Sequence, residues 1–302
     1  MHLTNLIRQM QTQNSKLKIQ SFGGPNSNVL IRSVWMIWVI QQVIVEHLFH
    51  QRFDLIHVHS IPAMVSGKIL SLILGIPVLV TVHGYNVKRW MEKFILTKIK
   101  YDEQITVARN FLAVPNVNKN VVYIPNGIDL ERYKNIQKGI KKYEKKKVVL
   151  FVGRKNDPVK GFSILLRAFE LVKKEVPQAK LLVAGGDLSS DEVSQMYHRA
   201  NLFVLPSLSE GFPLTLLEAW ATKLPVVATG VGDLPYLIKD GVNGYLSDPG
   251  SAQKLSVAII KALKNRNLAK LGENGYNQAK EYTWEKTARE TIKVYQKICL
   301  KY

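Results

Sequence analysis

Eight short apolar runs separated by helical patterns constrain this chain more than any other feature. LIHV (55–58), PVLVTV (77–82), QITV (104–107) and VVYI (121–124) come first. VVLFVG (148–153), KLLVAG (180–185), LFVLP (202–206) and PVVATG (225–230) follow. Most are apolar at every position rather than at alternate ones, the pattern of parallel strands covered by helices on both faces. Strands alternating with helices build right-handed βαβ units and an open parallel sheet.

A lysine run, KGIKKYEKKK (138–147), divides the eight into two sets of four and reads as a solvated linker rather than a binding patch. A chain of 302 residues can bury two modest cores. The expected fold class is therefore α/β, with two doubly wound Rossmann-like domains, 1–137 and 138–285, and an interdomain cleft.

Composition narrows the partners. The formal net charge of +19 suits nucleic acid, an anionic membrane surface or phosphorylated substrates. The lysines do not interleave with aromatics as in a nucleic-acid module, so nucleic acid is not expected. The single cysteine, Cys299, has no disulfide partner, and no secretory pattern stands at Met1; a reducing, cytoplasmic setting is the expectation. The apolar segment VLIRSVWMIWVIQQVIVEHLF is broken by Arg32, Gln41, Gln42, Glu46 and His47, so it reads as a buried helix packed on a sheet rather than a membrane span.

Open parallel sheets bind ligands beyond the carboxyl ends of their strands. His83 and Gly84 follow the second run; Gly153 ends the fifth, and Arg154 and Lys160-Gly161 follow it; Gly186 and Asp187 follow the sixth. Ser209-Glu210-Gly211 follow the seventh, and Gly232-Asp233 the eighth. Asp187 has a second reading, as the N-cap of the helix that SSDEVSQM predicts. His57, His59 and His83 also fit a partly structural role as core histidines.

After the seventh run the chain reads PSLSEGFPLTLLEAWA (206–221), with Glu210 and Glu218 eight residues apart. Pro213 suits the first turn of a helix, where its missing N–H costs nothing. That helix directs its N-terminus out of the strand end, offering N–H groups and partial positive charge to an anion. Gly211 lets the backbone approach closely. Glu218, two turns in, and Glu210, in the loop, can each accept from a pair of hydroxyls. The pattern asks for phosphates in the middle and hydroxyls at both ends, as in a nucleotide sugar.

EGFPLTLLEA resembles the Glu-x7-Glu motif of family 4 retaining glycosyltransferases of GT-B fold. DLIHVHS (54–60), TVHG (81–84), YDEQITV (101–107), IPNGID (124–129), VGRKNDPVKG (152–161), NGYLSDPG (243–250) and YTWEKTA (282–288) match in the same order, over roughly residues 50 to 300. The resemblance implies transfer of a sugar from a UDP- or GDP-linked donor with retained anomeric configuration. It assigns Arg154 and Lys160 to the diphosphate, Glu210 to the donor sugar, Glu218 to the ribose and His83 to the neighbourhood of the transferred sugar. Gly153, Asp187, Gly211 and the backbone of Phe212, Pro213 and Leu214 would line the donor. Cations and a helix dipole stand where other enzymes use a metal, so no metal or other cofactor is implied. Residues 286–302 would form a helix crossing back to the first domain.

Two departures from the family accompany the match. The chain is expected to begin inside the first helix, with KLKIQSF (16–22) as the second strand and without the Gly-Gly loop that precedes it in the family. A helix and strand are expected to be missing after VAGGDLSS (183–190). The alternative reading is thus a shortened, catalytically impaired relative that binds donor weakly or serves as a non-catalytic partner. KRWMEKFILTKIK (88–100) carries an apolar stripe flanked by cations. It reads either as a helix packed on the sheet or as a peripheral contact with an anionic membrane that presents a lipid-linked acceptor.

Overall fold

The computed structural model describes residues 2–15, 17–22, 29–84, 90–113, 118, 120–136, 147–186 and 188–301. The chain forms two compact units, Met1–Pro125 with Glu285–Tyr302, and Asn126–Trp284.

The first unit opens with helices α1 (His2–Gln13) and α2 (Val29–Phe49), then alternates β1 (Ile56–Val58), α3 (Ile61–Leu74), β2 (Val78–Val82), α4 (Trp90–Lys98), β3 (Glu103–Thr106) and β4 (Val121–Tyr123). Its sheet is parallel, in the order β1-β2-β3-β4. All five residues of β2 are buried, and alternate ones serve different cores. Val78, Val80 and Val82 pack with Met64 of α3 and Leu96 of α4, while Leu79 faces the opposite cluster. The uninterrupted apolar character of that strand follows from this two-sided burial.

Two expectations fail here. Leu17–Phe22, read as a strand, forms no ladder; β1 pairs with β2 alone among the described residues. The part of α2 whose side chains are described is not a buried core helix. It packs against α3 and buries Val43, but Ile37, Trp38, Val45, Leu48 and Phe49 stay exposed. Hydrophobic content distinguishes a buried helix from a half-buried one only when the covering layer is known, and here α3 lies between α2 and the strands.

The second unit runs α5 (Leu130–Ile136), β5 (Lys147–Val152), α6 (Phe162–Glu175), β6 (Ala179–Ala184), α7 (Ser190–Arg199), β7 (Leu202–Leu205), α8 (Leu214–Ala221), β8 (Val226–Thr229), α9 (Leu234–Leu237), β9 (Tyr245–Ser247), α10 (Ala252–Lys264) and α11 (Leu268–Ala279). The order of its parallel sheet is β6-β5-β7-β8-β9. From β5 the chain crosses outward to β6 on one side; from β7 it proceeds to β8 on the other. This reversal leaves a crevice at the carboxyl ends of β5 and β7, where such sheets bind ligands. One core layer joins Val149, Phe151, Leu202, Val204 and Val227 to Leu165, Val172 and Ile259 from α6 and α10.

The last helix, α12 (Trp284–Cys299), supplies Val294 and Ile298 to the core formed with Leu79, Ile105 and Ile124 of the first unit. Lys297 Nζ lies 2.7 Å from Glu103 Oε1, a carboxylate wholly removed from solvent. Both sheets are parallel and helix-covered, the α/β class expected from the sequence. Most of the lysine run (138–146), together with Lys88, Arg89 and Asp187, lies outside the described residues.

Candidate active site

Two loops meet at the crevice of the second sheet. After β5, Asp157 caps a short turn, Pro158–Lys160, by accepting from Val159 N–H at 3.0 Å. The turn ends at Gly161, whose φ of +67° is left-handed, and a Cβ there would stand 2.0 Å from the Pro206 carbonyl oxygen. Glycine is needed for both reasons: the backbone conformation and the close approach. The contact draws the Lys160 loop onto the end of β7, and Leu208 N–H seals it by donating to the Val159 carbonyl at 2.7 Å.

The result is an ion pair between residues fifty positions apart. Lys160 Nζ lies 2.8 Å from Glu210 Oε1, with the glutamate side chain 9% exposed. Buried Ser207 donates to the same oxygen at 2.6 Å. A second glycine fixes the far side: Gly232, at φ +58°, lies so close that a Cβ would meet the Glu210 carbonyl oxygen at 2.2 Å. Asp233 N–H then donates to the Gly211 carbonyl at 3.1 Å. Glu210 and Gly211 are thus held from both neighbouring strand ends.

Pro213 is the N-cap of α8, just outside the first helical turn expected for it, with φ −76°. Having no N–H, it leaves Phe212 and Leu214 to supply that part of the backbone's donors. Phe212 is buried, with its ring 5.3 Å from that of Tyr282, and its carbonyl accepts from Asn126 Nδ2 at 3.4 Å. Arg154 follows Gly153 at the end of β5 and does not join the Lys160–Glu210 pair. It stands 79% exposed with Nη2 3.5 Å from Asp157 Oδ2.

Glu218 is partly buried on α8 and accepts from Tyr197 Oη at 2.9 Å. The Tyr133 hydroxyl lies close to the same carboxylate and favours its charged form. Burial pushes the Glu218 carboxyl above its ordinary range, and the two tyrosines and Arg132 partly offset that. Burial first, and then the Glu218 charge, raise both phenols, so they stay protonated and act as donors. Sequence reading missed Tyr133 and Tyr197 because neither spacing nor motif links them to Glu218.

His83 belongs to the first unit, at the end of β2. Its Nε2 is 3.2 Å from His59 Nδ1, and the two rings stack with centroids 5.5 Å apart. His57 lies beside His59 and bonds Thr81 Oγ1 and Tyr295 Oη, both at 2.7 Å. Burial lowers His83 to about 4 and drives His57 down as well, with His59 and His83 adding to the latter, so these two imidazoles are neutral near pH 7. Among the described residues no three histidine, cysteine or carboxylate side chains group to hold a metal ion.

Two family models match the chain. The one described as Glycosyltransferase Family 4 covers residues 11–132, and the one described as Glycosyl transferases group 1 covers residues 146–265. An uncharacterised glycosyltransferase of Methanocaldococcus jannaschii is 31% identical over 279 residues, spanning 81% of this chain and 76% of its own. A phosphatidyl-myo-inositol mannosyltransferase of Mycobacterium tuberculosis is 26% identical over 290 residues, 83% of this chain and 75% of its own. Among solved structures, Anabaena HepE in complex with UDP and glucose has a TM-score of 0.73 at 20% identity, covering 96% of this chain and 88% of that one.

Proposed function

The chain belongs to family 4 of the glycosyltransferases, and from that premise we propose that it moves a sugar from a UDP- or GDP-linked donor to an acceptor with retention of anomeric configuration. The observation that carries this reading is the Lys160–Glu210 pair, set at the reversal point of the second sheet beside the N-terminus of α8. Lys160 and Arg154 neutralise the diphosphate, and the backbone at Phe212 and Leu214 adds helix-terminal N–H donors. Charge grows on the leaving phosphate as the glycosidic bond breaks, so these groups stabilise the transition state more than the ground state. Glu210 holds the sugar hydroxyls and Glu218 the ribose. The acceptor oxygen attacks from the face the diphosphate leaves, its proton passing to that phosphate, with no protein nucleophile and no metal. His83, neutral near pH 7, contributes a hydrogen bond to the transferred sugar.

The acceptor reading rests on α4. Ile95 and Ile99 pack with buried Leu96 against the first sheet, whereas Trp90, Met91 and Phe94 are more than half exposed, beside exposed Lys93 and Lys98. Apolar groups among cations match an anionic bilayer. No helix among the described residues is long and apolar enough to cross a membrane. Peripheral attachment at the cytoplasmic face, with a lipid-linked acceptor, fits this surface, and the mannosyltransferase relative has a phospholipid in its name.

The test is a transfer assay with α-linked UDP- and GDP-sugars, followed by determination of the product anomer. An α-linked product supports the reading. A β-linked product contradicts retention, and failure of every donor to react favours the non-catalytic alternative.

A further inference from the structure

Glu218 is held by side chains from two other helices, both packed against α8. Tyr197, buried on α7 with its ring against Phe203 of β7 at 5.5 Å, donates to Glu218 Oε2 at 2.9 Å. Tyr133, buried on α5, brings its hydroxyl close to the same carboxylate and favours its charged form. Neither tyrosine is loosely set. His198 Nε2 donates to the Tyr133 carbonyl at 2.9 Å, tying α5 to the end of α7. Arg132 Nη2 ties α5 to the start of α7, donating to Ser190 Oγ at 2.6 Å and to Asp191 Oδ1 at 2.7 Å. The capping box of Ser189 and Glu192 fixes that helix start in turn.

A carboxylate offers about four acceptor positions. Tyr197 occupies one of them and the Tyr133 hydroxyl faces a second, which leaves two, the number of hydroxyls on a ribose 2′,3′-diol. Tyrosine is suited to this arrangement because a rigid, buried ring delivers one donor at a fixed place. We propose that Tyr133 and Tyr197 are positioning residues that lock the Glu218 rotamer, so that the carboxylate accepts both ribose hydroxyls and discriminates ribonucleotide from deoxyribonucleotide donors. The inference rests on the reading that Glu218 receives the ribose. It adds that the discrimination is imposed through two tyrosines remote from the Glu-x7-Glu segment.

The experiment is a binding cycle by calorimetry on the full chain. UDP and GDP, with their 2′,3′-dideoxy counterparts, are titrated into the wild type, Tyr133→Phe, Tyr197→Phe and the double variant. Hydrogen bonds to a charged group predict that the wild type prefers the ribonucleotide by roughly ten- to a hundredfold. Each single variant should lose part of that preference and the double variant most of it, with dideoxy affinity unchanged within about twofold. Equal weakening toward ribo- and dideoxynucleotides would mean a merely structural role and overturn the proposal. An intact preference in the variants would also overturn it while leaving the ribose reading in place. Wild type with no preference, or no binding of either diphosphate, removes the ribose reading and the inference with it. Should the double variant not fold, the single variants give the same comparison, since each deletes one oxygen and keeps the ring.

Discussion

Lys160 Nζ and Glu210 Oε1 stand 2.8 Å apart at the carboxyl ends of adjacent strands β5 and β7, and Ser207 donates to the same oxygen. The lysine, a third exposed, can exchange this partner for a phosphate while the glutamate stays fixed by its backbone. Glu210→Gln should therefore change stability by no more than about 1 kcal/mol, as for partly exposed ion pairs. The same change should slow sugar transfer by about tenfold or more. A variant that melts far below the wild type would make the pair structural instead.

Glu218 gives a pH signature. Its folded pKa is raised by burial, so the folded state holds the proton to higher pH than the unfolded chain does. Stability then falls as pH rises from the ordinary carboxylate value of 4.5 through the raised one, by about 1.4 kcal/mol per pH unit in that window. Glu218→Gln removes this cost and should melt higher than the wild type at pH 7 to 8. The gap should close below pH 4.5, where both forms are neutral. A gap independent of pH would contradict the burial account.

Strands β2, β7 and β8 were legible because two-sided burial writes itself into every residue, as in Val78–Val82, whereas β1 and β4, only partly buried, show instead as short β-branched runs. Strand β9 was not, because Tyr245–Ser247 is three residues long inside a loop motif and is paired only with β8. The site was half legible. Glu210, Lys160 and the glycines lie at strand ends, where chain order alone puts them. That β5 neighbours β7, and so that Lys160 meets Glu210, depends on sheet order, which local periodicity does not carry. Tyr133 and Tyr197 are farther from reach still, since their role comes from how α5 and α7 pack on α8.

His83 should leave an acid limb. Its pKa is lowered from 6.5 to about 4, so above pH 6.5 it is neutral in both states and its contribution is fully present. As pH falls from 6.5 to 4, the unfolded chain takes up a proton that the folded chain refuses. Stability declines by up to about 3 kcal/mol over that range. His83→Gln should make the decline shallower in urea titrations at pH 4.5 to 6.5, while His57, also lowered, keeps part of it. An unchanged slope would show that His83 titrates normally.

Cutting the chain after Thr283 removes α12, with Val294 and Ile298 from the core and Lys297 from Glu103. A buried carboxylate that loses its cation costs about 3–5 kcal/mol, before the lost apolar burial is added. That is enough to unfold a marginal unit. Hydrogen exchange in β1 to β3 should accelerate strongly while β5 to β8 stay protected. Undiminished protection in β2 would refute this role for the helix.

For the membrane surface, the chain should sediment with vesicles containing anionic lipid, less so at high salt, and little with neutral ones. Replacing Trp90 and Phe94 with serine, or Lys93 and Lys98 with glutamine, should weaken that binding. Indifference to lipid charge would return the acceptor to solution.

The donor site itself is tested most directly by thermal melting with UDP and GDP at millimolar concentration. Binding to the folded state alone raises Tm by mass action. The wild type should gain several degrees with at least one of the two, and the Arg154→Ala, Lys160→Ala double variant should gain none. No shift of the wild type with either nucleotide, or an undiminished shift in the double variant, would contradict a diphosphate held by Arg154 and Lys160.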